Sequence, residues 1–442
     1  MVSFFHAYDL RGTYPDEISE EEAEKVGKAF GTYIDSEKAI VGRDGRKHSP
    51  SVKKAFVKGL VSTGTEVLDA GMIPSPVVYY GSKINNVPSI VITASHNPPE
   101  YTGFKFSKKG AVAMSREGGM KQIEDIYEAE EFKSGEASVN EVELKDDYIE
   151  FVEERVNLER ELKVAVNYGN GVSSVIAGKL LERLGCEITE VNEEIDGSFP
   201  NHLPAPGEEK AQKQLIDAMS DEDLGIIFDG DGDRAGFIID DEYIGEDKVL
   251  AIFSSEILEK NKGKVVHDLR ASKLVKETIN NYDGIATESR VGHTFISDKI
   301  YSNSNVVFAG ELSGHYYFPA VNVPWDDGLF SAAYMCSIES KTDLSERIDS
   351  MPKYPVSPEL RIDCPNKIKE EVVREIEKEF EDRETSNLDG VKIMFENGWA
   401  LVRPSNTEPK MSVRCEADDE EALDEILEKV ETAVRNIIGE LK

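Results

Sequence analysis

Residues 162–184, LKVAVNYGNGVSSVIAGKLLERL, carry the pattern that decides the fold of this 442-residue chain. The apolar run at 162–166 predicts a buried strand, and the turn at 169–171 ends it. A helix-like stretch then continues to Leu184. A strand followed by a helix is typical of α/β layers, in which helices cover a largely parallel or mixed sheet.

The same rhythm recurs on both sides of this stretch. The segments that show it are, in chain order, strand 38–42, helix 51–62, strands 67–71 and 88–92, strand 264–267 and helix 271–279. From about residue 351 the pattern changes to a strand at 359–364, a charged helix at 366–381, two strands around Gly398 and a helix at 420–441. The sequence therefore predicts three related α/β domains with mixed sheets, followed by a smaller C-terminal α+β domain.

Composition and charge exclude several classes of partner. The net charge of −35 repels nucleic acid and anionic lipid, so we expect neither as a ligand. No apolar run approaches the ~20 residues of a membrane helix, and we expect no signal peptide. The four cysteines form no CxxC pair, which favours a reducing cytoplasm. If the substrate is an anion, its site must contain arginine, lysine or a metal that overcomes the negative electrostatic field of the protein locally.

The strongest chemical signal is the run DGDGDR at 229–234. An apolar strand at 224–228 ends in Asp229, Asp231 and Asp233, and a new strand begins at Ala235. Three carboxylates this close repel one another unless a cation lies between them, and oxygen ligands suit Mg²⁺ or Ca²⁺. The intervening glycines let the backbone bend tightly enough for the side chains to converge.

Other interpretations of this run stay open at this point. An EF-hand loop also begins Asp-x-Asp-x-Asp, but its sixth and twelfth positions are here Arg234 and Asp240, and strands flank the loop. A phosphatase with Asp229 as an aspartyl nucleophile is the more serious alternative, because such enzymes also place a carboxylate at a strand end. A purely structural acidic turn would leave the repulsion unrelieved.

Three further loops carry polar residues of interest. Thr93-Ala94-Ser95-His96-Asn97-Pro98 presents a serine where a predicted strand gives way to a rigid turn. The loop at 403–410, RPSNTEPK, offers a guanidinium, hydroxyls and an amide, which together suit a phosphate, although its composition is also that of an ordinary turn. The loop at 310–315, GELSGH, could hold vicinal sugar hydroxyls, with a glycine-rich turn as the alternative.

Taken together, these four loops resemble those of the α-D-phosphohexomutase family, in the family's order along the chain. The likeness runs from the segment at 8–12, YDLRG, to the 403–407 loop, and so covers almost the whole sequence. The stretch at 196–200, DGSFP, matches a further family signature. The chain departs from the family at Thr102, where Asn is common, and at 204–207, PAPG, which replaces an Asn-Pro-Glu portion.

The resemblance implies four domains around a central cleft, each contributing one loop. We expect domain I with the serine loop at 1–139 and domain II with the metal loop at 140–241. Domain III with the sugar loop is expected at 242–350, and domain IV with the phosphate loop at 351–442. The implied enzyme is an isomerase that acts by intramolecular phosphoryl transfer between hexose 1-phosphate and hexose 6-phosphate, with a hexose 1,6-bisphosphate as intermediate.

The resemblance also implies the roles of individual residues. Ser95 is expected to be the phosphoserine, and its oxygen would join Asp229, Asp231 and Asp233 around Mg²⁺. Lys105 matches a lysine placed near that serine, either for proton transfer or as an electrostatic clamp. The other implied residues fall into three groups. The catalytic group is Arg11 and His293 beside Ser95 and Lys105; the substrate-binding group is His96, Asn97, Arg234, Arg270, Gly292, Glu311, Ser313 and His315; and the phosphate-binding group is Arg403, Ser405, Asn406 and Thr407.

The prediction of which sugar binds rests on a single residue. Leu312 lies where glucosamine-phosphate mutases of the family usually have Gln, which favours mannose and glucose phosphates. A phosphoglucosamine mutase is the alternative within the family, and a core histidine is the alternative for His293. The expected partners are small sugar phosphates, and the sequence does not fix an oligomeric state.

Overall fold

The computed structural model describes residues 4–5, 9–405 and 408–442. Four separate sheets organise these residues, one in each quarter of the chain. No helix in the described part is both long and apolar enough to cross a membrane. The predicted fold class, three α/β domains and a smaller α+β domain, is confirmed.

The first sheet has seven strands in the order β1-β5-β4-β2-β3-β7, with β6 paired to β5. The strands are β1 Leu10–Thr13, β2 Lys38–Arg43, β3 Glu66–Met72, β4 Ser89–Ile92, β5 Tyr101–Lys108, β6 Val112–Ala113 and β7 Val139–Glu141. The helices are α1 Glu20–Tyr33, α2 Ser49–Val61, α3 Ser75–Asn85 and α4 Lys121–Ala129. Strands β2, β3, β4 and β7 run parallel, whereas β5 is antiparallel to β4 and β1.

Helices α1 and α2 cross closely because each has a glycine against the backbone of the other. A Cβ on Gly27 would lie 2.1 Å from the Phe56 carbonyl oxygen, and one on Gly59 would lie 2.0 Å from the Glu24 carbonyl oxygen. The two backbones therefore touch, which any larger side chain would prevent. Phe30, Phe56 and Phe106 fill the space between this pair and the sheet.

The second domain contains the strand and helix of residues 162–184. Residues 162–184 form β8 and α6, joined by a 3₁₀ turn at Val172–Val175. Its elements are α5 Lys145–Glu153, β8 Leu162–Asn167, α6 Ala177–Leu184, β9 Cys186–Val191, α7 Glu209–Ala218, β10 Leu224–Phe228, β11 Ala235–Ile239 and β12 Glu242–Ile244. The strand order is β12-β11-β10-β8-β9, and β10, β8 and β9 are parallel.

The third sheet has the order β14-β13-β15-β16. The elements of this domain are α8 Glu246–Lys260, β13 Lys264–Asp268, α9 Lys273–Asn281, β14 Ile285–Ser289, α10 His293–Ser302, β15 Val306–Gly310, β16 Tyr316–Tyr317, α11 Gly328–Glu339 and α12 Leu344–Asp349. Helix α11 also packs against α6, β10 and β11 of the second domain, so one large apolar core spans both.

The C-terminal sheet is antiparallel throughout, in the order β17-β21-β20-β19-β18. Its elements are β17 Leu360–Asp363, α13 Lys369–Glu379, β18 Thr385–Ser386, β19 Val391–Phe395, β20 Gly398–Pro404, β21 Lys410–Ala417 and α14 Glu420–Leu441. Helix α14 begins at an Asp419 N-cap and buries one apolar stripe against the sheet.

The sheets extend slightly beyond two of the predicted boundaries. Strand β7 continues to Glu141 in the first sheet, past residue 139, because it adds to the edge of β3. Strand β12 ends at Ile244 in the second sheet, past residue 241, because it forms a hairpin with β11. Both edge strands have only three residues, and β7 is exposed throughout, so their sequence carries little apolar signal.

Candidate active site

The serine loop follows β4. Ser95 is fully buried, and its hydroxyl lies 2.6 Å from Asp229 Oδ2 and 3.1 Å from His96 Nδ1. Its backbone N–H donates to Thr93 Oγ1 at 2.9 Å. Ser95 has a φ of +49°, which is uncommon for a residue other than glycine and costs conformational energy. The loop thus holds the hydroxyl against the acidic run, although the two are 134 residues apart.

The acidic run lies in the turn between β10 and β11. Asp229, Asp231 and Asp233 are all fully buried, and one carboxylate oxygen of each lies within 4.8 Å of the others. Burial, followed by the charges of Asp231 and Asp233, raises the pKa of Asp229 to about 8. A Cβ on Gly230 would lie 2.5 Å from the Ser95 carbonyl oxygen, so glycine is required for the two loops to meet.

Lys105 contributes one positive charge to this cluster from β5. Its Nζ lies 2.7 Å from Asp231 Oδ2 and also donates to Asp233 Oδ2. Burial lowers the pKa of Lys105, but Asp231 and Asp233 outweigh burial and raise that pKa well above its usual value. In this arrangement Lys105 is protonated and bridges two carboxylates.

The acidic cluster fits a divalent cation. Asp231 Oδ1 and Asp233 Oδ1 are buried, and neither has a hydrogen-bond partner among the described residues. A buried carboxylate oxygen without a donor costs free energy, and a bound cation would recover that cost. Buried oxygen ligands of this kind are those that hard cations such as Mg²⁺ prefer.

Residues of the 310–315 loop reach the same cluster. His315 Nδ1 lies 2.8 Å from Glu311 Oε1 and 2.9 Å from Ser313 Oγ, and Nε2 lies 3.4 Å from Asp233 Oδ1. Burial and Arg234 lower the pKa of His315, but Asp233 and Glu311 raise it to about 9. The loop that follows β15 is thereby tied to the acidic run.

Arg234 lies between these loops. Its Nε is 3.1 Å from His315 Nε2 and 3.8 Å from Asp229 Oδ2. The same guanidinium acts on His96: the charge of Arg234, followed by burial, lowers the pKa of His96 well below its usual value. His96 is therefore neutral near pH 7, beside the Ser95 hydroxyl.

His293 begins α10 and stacks on His315, with 5.7 Å between ring centroids. His293 Nδ1 lies 3.3 Å from Asp326 Oδ2, and the neighbouring Gly292 N–H donates to Glu311 Oε2 at 3.2 Å. Sequence reasoning missed Asp326. The only signal for it was the acidic pair before Gly328, which also serves as the cap of α11 through Asp327.

Arg270 and Arg11 are held by carboxylates and amides at the edges of the site. Asp268 binds Arg270 through Nη2–Oδ2 at 2.8 Å, and the same carboxylate accepts the Leu312 N–H at 2.9 Å. Asp268 therefore joins Arg270 to the 310–315 loop, and sequence reasoning missed it too. Arg11 Nη1 donates to Asn97 Oδ1 at 2.6 Å, next to the serine loop.

The loop of the C-terminal domain faces the third domain. Arg403 Nη2 lies 3.1 Å from Asp389 Oδ2, and that oxygen accepts the Val291 N–H at 3.3 Å. Lys369 Nζ donates to the Ser405 carbonyl at 2.7 Å and so supports the loop. Asp389 and Lys369 were also missed from sequence, while the predicted Asn406 and Thr407 lie outside the described residues.

Comparison with family models matches all four parts of the chain. The matches are phosphoglucomutase/phosphomannomutase alpha/beta/alpha domain I at residues 3–134, domain II at 146–242, domain III at 245–354 and the C-terminal domain at 359–433. Together they cover well over half of the sequence.

Individual relatives match over the full length. A phosphomannomutase/phosphoglucomutase of Pseudomonas aeruginosa is 34% identical, with 98% of this chain and 95% of that protein covered. A phosphomannomutase of Methanocaldococcus jannaschii is 36% identical, with 99% and 98% covered. A crystal structure of a phosphoglucomutase/phosphomannomutase family protein from Burkholderia thailandensis superimposes with a TM-score of 0.93 at 29% identity, covering 99% and 98%.

Proposed function

The chain belongs to the phosphoglucomutase/phosphomannomutase family, and from that premise we propose how its residues carry out the reaction of a phosphohexomutase. The enzyme is an isomerase that interconverts the 1-phosphate and 6-phosphate of mannose and glucose by phosphoryl transfer. We propose that the carrier is phosphorylated Ser95 and that a hexose 1,6-bisphosphate is the intermediate. A cytoplasmic location and sugar phosphates as the partners complete the proposal.

One observation carries it: the Ser95 hydroxyl lies 2.6 Å from Asp229 Oδ2, at the meeting point of two loops from different domains. A hydroxyl buried among three carboxylates and a lysine is unfavourable for a structural turn, which would be more stable with apolar residues there. The same arrangement suits a group that gains and loses a phosphoryl group, because a divalent cation held by the three carboxylates would balance the charge of the phosphate.

In the first half-reaction, a hydroxyl oxygen of the hexose phosphate attacks the phosphorus on Ser95 and the bond from phosphorus to Oγ breaks. The bisphosphate then reverses its orientation in the site. Ser95 Oγ attacks the other phosphate, and the bond from that phosphorus to the sugar oxygen breaks. Ser95 Oγ takes up a proton as it leaves phosphorus in the first half-reaction and gives one up as it attacks in the second, when the departing sugar oxygen takes up a proton. Asp229 Oδ2 at 2.6 Å and neutral His96 Nδ1 at 3.1 Å are within reach of the Ser95 proton.

We propose that the cations around Ser95 stabilise the negative charge of the phosphoryl group during transfer. Asp229, Asp231 and Asp233, with an oxygen of Ser95, would hold Mg²⁺, which when bound neutralises negative charge during phosphoryl transfer. Lys105 keeps Asp231 and Asp233 in position as a protonated clamp. Arg11 contacts the serine loop through Asn97 and would contribute a further positive charge.

The sugar would bind between the serine loop and the third domain. Glu311 and Ser313 are proposed to bind sugar hydroxyls, with His315 holding both of them. His293, whose Nδ1 lies 3.3 Å from Asp326 Oδ2, is the candidate for moving the proton of the attacking sugar hydroxyl. Arg234 and Arg270 would add positive charge near the substrate, with His96, Asn97 and Gly292 completing the binding surface.

The phosphate that does not react would bind to the C-terminal domain. Arg403 provides a fork of N–H donors that suits a phosphate, and Ser405 lies two residues further along the loop. Asn406 and Thr407 remain part of this prediction. The contact from Asp389 to both Arg403 and Val291 brings this loop beside the residues assigned to the sugar.

The experiment that tests the carrier is mapping of the phosphate after incubation with a hexose 1,6-bisphosphate. We expect the phosphate on the peptide that contains Ser95, and we expect it to survive acid and hydroxylamine because it is a phosphate ester. Phosphate on Asp229 that hydroxylamine removes would contradict the proposal and support an aspartyl-phosphate phosphatase. Wild-type protein treated with glucose 6-phosphate alone provides the matched control.

The preferred sugar is tested by kcat/KM for the 1-phosphates of mannose, glucose, glucosamine and N-acetylglucosamine. We expect mannose and glucose 1-phosphates to exceed both amino sugars by about 10-fold or more, because Leu312 offers no polar side chain to pair with an amino or acetamido group. A higher kcat/KM for glucosamine 1-phosphate would assign the chain to the alternative activity. Inorganic phosphate release, measured in parallel, separates mutase turnover from hydrolysis.

A further inference from the structure

We propose that Arg46 is a positioning residue that holds the serine loop in its reactive shape, and that the DGSFP signature at 196–200 holds Arg46. The inference rests on the proposed role of Ser95 as phosphoryl carrier. Arg46 lies just after β2, and its side chain is completely buried. The mechanism proposed above assigns no role to Arg46 or to the signature.

The guanidinium of Arg46 donates hydrogen bonds to carbonyl groups of the serine loop and the residues that follow it. Nη2 donates to the carbonyl oxygens of Ser95 at 2.8 Å and Asn97 at 2.6 Å. Nη1 donates to the carbonyl oxygens of Pro98 at 2.6 Å and Tyr101 at 3.1 Å. These carbonyls converge on one point, so without a cation between them their dipoles would repel one another.

Asp44 completes the arrangement. Its Oδ2 accepts the Arg46 Nε–H at 3.1 Å, and its Oδ1 accepts the backbone N–H of Arg46 at 3.1 Å and the hydroxyl of Ser49. Every side of the guanidinium that can donate is therefore used. Lysine could supply the charge, but its three donors radiate from one atom and cannot reproduce this planar fork.

The loop needs such support because its shape is not favourable by itself. Ser95 has a φ of +49°, and Gly230 of the second domain approaches its carbonyl group so closely that a Cβ would lie 2.5 Å from the oxygen. A residue keeps such a conformation only where its surroundings impose it. The contact from Arg46 to the Ser95 carbonyl acts directly on the backbone that sets the direction of the hydroxyl.

The signature lies on the other side of Arg46. The Phe199 ring is 4.9 Å from Arg46 Cζ, a cation–π contact in a buried setting. A Cβ on Gly197 would lie 2.4 Å from Arg46 Cα and 2.6 Å from Lys47 N, so glycine is required at that position. Asp196 also pairs with Lys47 at 3.4 Å. The signature thus packs against the residues around Arg46, which in turn hold the serine loop.

The test compares Arg46→Lys with Arg155→Lys as a matched control. Arg155 also donates to main-chain carbonyls, of Val321 and Phe151, and also lies over a phenylalanine ring, at 3.7 Å from that of Phe151. It differs in that these contacts lie outside the serine loop. We expect Arg46→Lys to lower kcat by about 100-fold with KM changed by less than about threefold, since a small misplacement of a reacting group has that effect. Arg155→Lys should keep kcat within about threefold of wild type.

Hydrogen exchange separates positioning from general destabilisation. In Arg46→Lys, peptides from 93–103 should exchange faster than in wild type, while peptides from α14 should be unchanged. Phe199→Leu provides a milder second variant that reaches Arg46 from the second domain, and we expect kcat to fall about two- to fivefold. Wild-type kcat in Arg46→Lys, or an equal loss in Arg155→Lys, would overturn the inference while leaving the role of Ser95 intact. Wild-type protein that carries no phosphate on Ser95 would instead remove the premise of both.

Discussion

Replacing Ser95 with alanine is expected to lower kcat by about 10⁴-fold or more, the scale of loss seen when an enzyme loses its covalent nucleophile. The substitution removes one oxygen, the one 2.6 Å from Asp229 Oδ2. Alanine has about the same backbone cost as serine at a φ of +49°, so folding should be preserved. Steady-state mutase assays measure kcat, and calorimetric titration with glucose 6-phosphate should give a Kd within about threefold of that of wild type.

Ser75→Ala is the matched control for this variant. Ser75 is also fully buried, and its hydroxyl donates to Asp231 Oδ2 at 2.6 Å, so it belongs to the same charged cluster without facing Asp229. We expect Ser75→Ala to keep at least about 10% of wild-type kcat, the loss of one hydrogen bond to a charged group. If Ser95→Ala retained as much activity as Ser75→Ala, Ser95 would not be the phosphoryl carrier.

The second large effect is expected for Asp229→Asn, which should lower kcat by about 100-fold or more. The amide has nearly the same shape as the carboxylate, and its oxygen can still accept the N–H groups of Gly232 and Arg234. It lacks the charge that would bind a cation. Mg²⁺ at 100 times its Kd should stabilise wild type by about 2.7 kcal/mol, and the variant should lose this gain, as measured by thermal unfolding with and without Mg²⁺.

Asp241→Asn provides the control for the loss of charge alone. Asp241 is exposed in the turn that joins β11 to β12, and asparagine tolerates its positive φ of 60°. This variant should retain both wild-type kcat and the stabilisation by Mg²⁺. Stabilisation by Mg²⁺ that is equal in Asp229→Asn and wild type would show that the acidic cluster does not hold the ion.

The fold was predictable because its signals are local. The apolar run at 162–166 and the glycines after it are enough to predict β8 and the helix that follows, and the same pattern gives α2 and α9 within two residues at each end. Strands β7 and β12 escaped prediction because short edge strands are stabilised by pairing with a neighbour rather than by their own apolar residues.

Some parts of the candidate site were likewise predictable from the sequence, and others were not. Loops such as DGDGDR contain several chemical groups within a few residues, so sequence alone suggests what they bind. Asp326, Asp268 and Arg46 are single polar residues that each contact a residue far along the chain, and only the folded arrangement shows those contacts. The conformation of Ser95 escaped prediction for a related reason, since contacts from two domains impose it against the preference of the residue itself.

The contact between Gly230 and the Ser95 carbonyl oxygen has a consequence for protein engineering. No side chain fills the gap between these two peptide segments, so nothing there can yield when either half is exchanged for that of a distant relative. A chimera with its crossover between the first and second quarters of the chain must therefore inherit a pair of segments that already fit each other. Crossovers near residue 355, where the chain enters the C-terminal quarter, leave this contact undivided and are the safer choice for recombination.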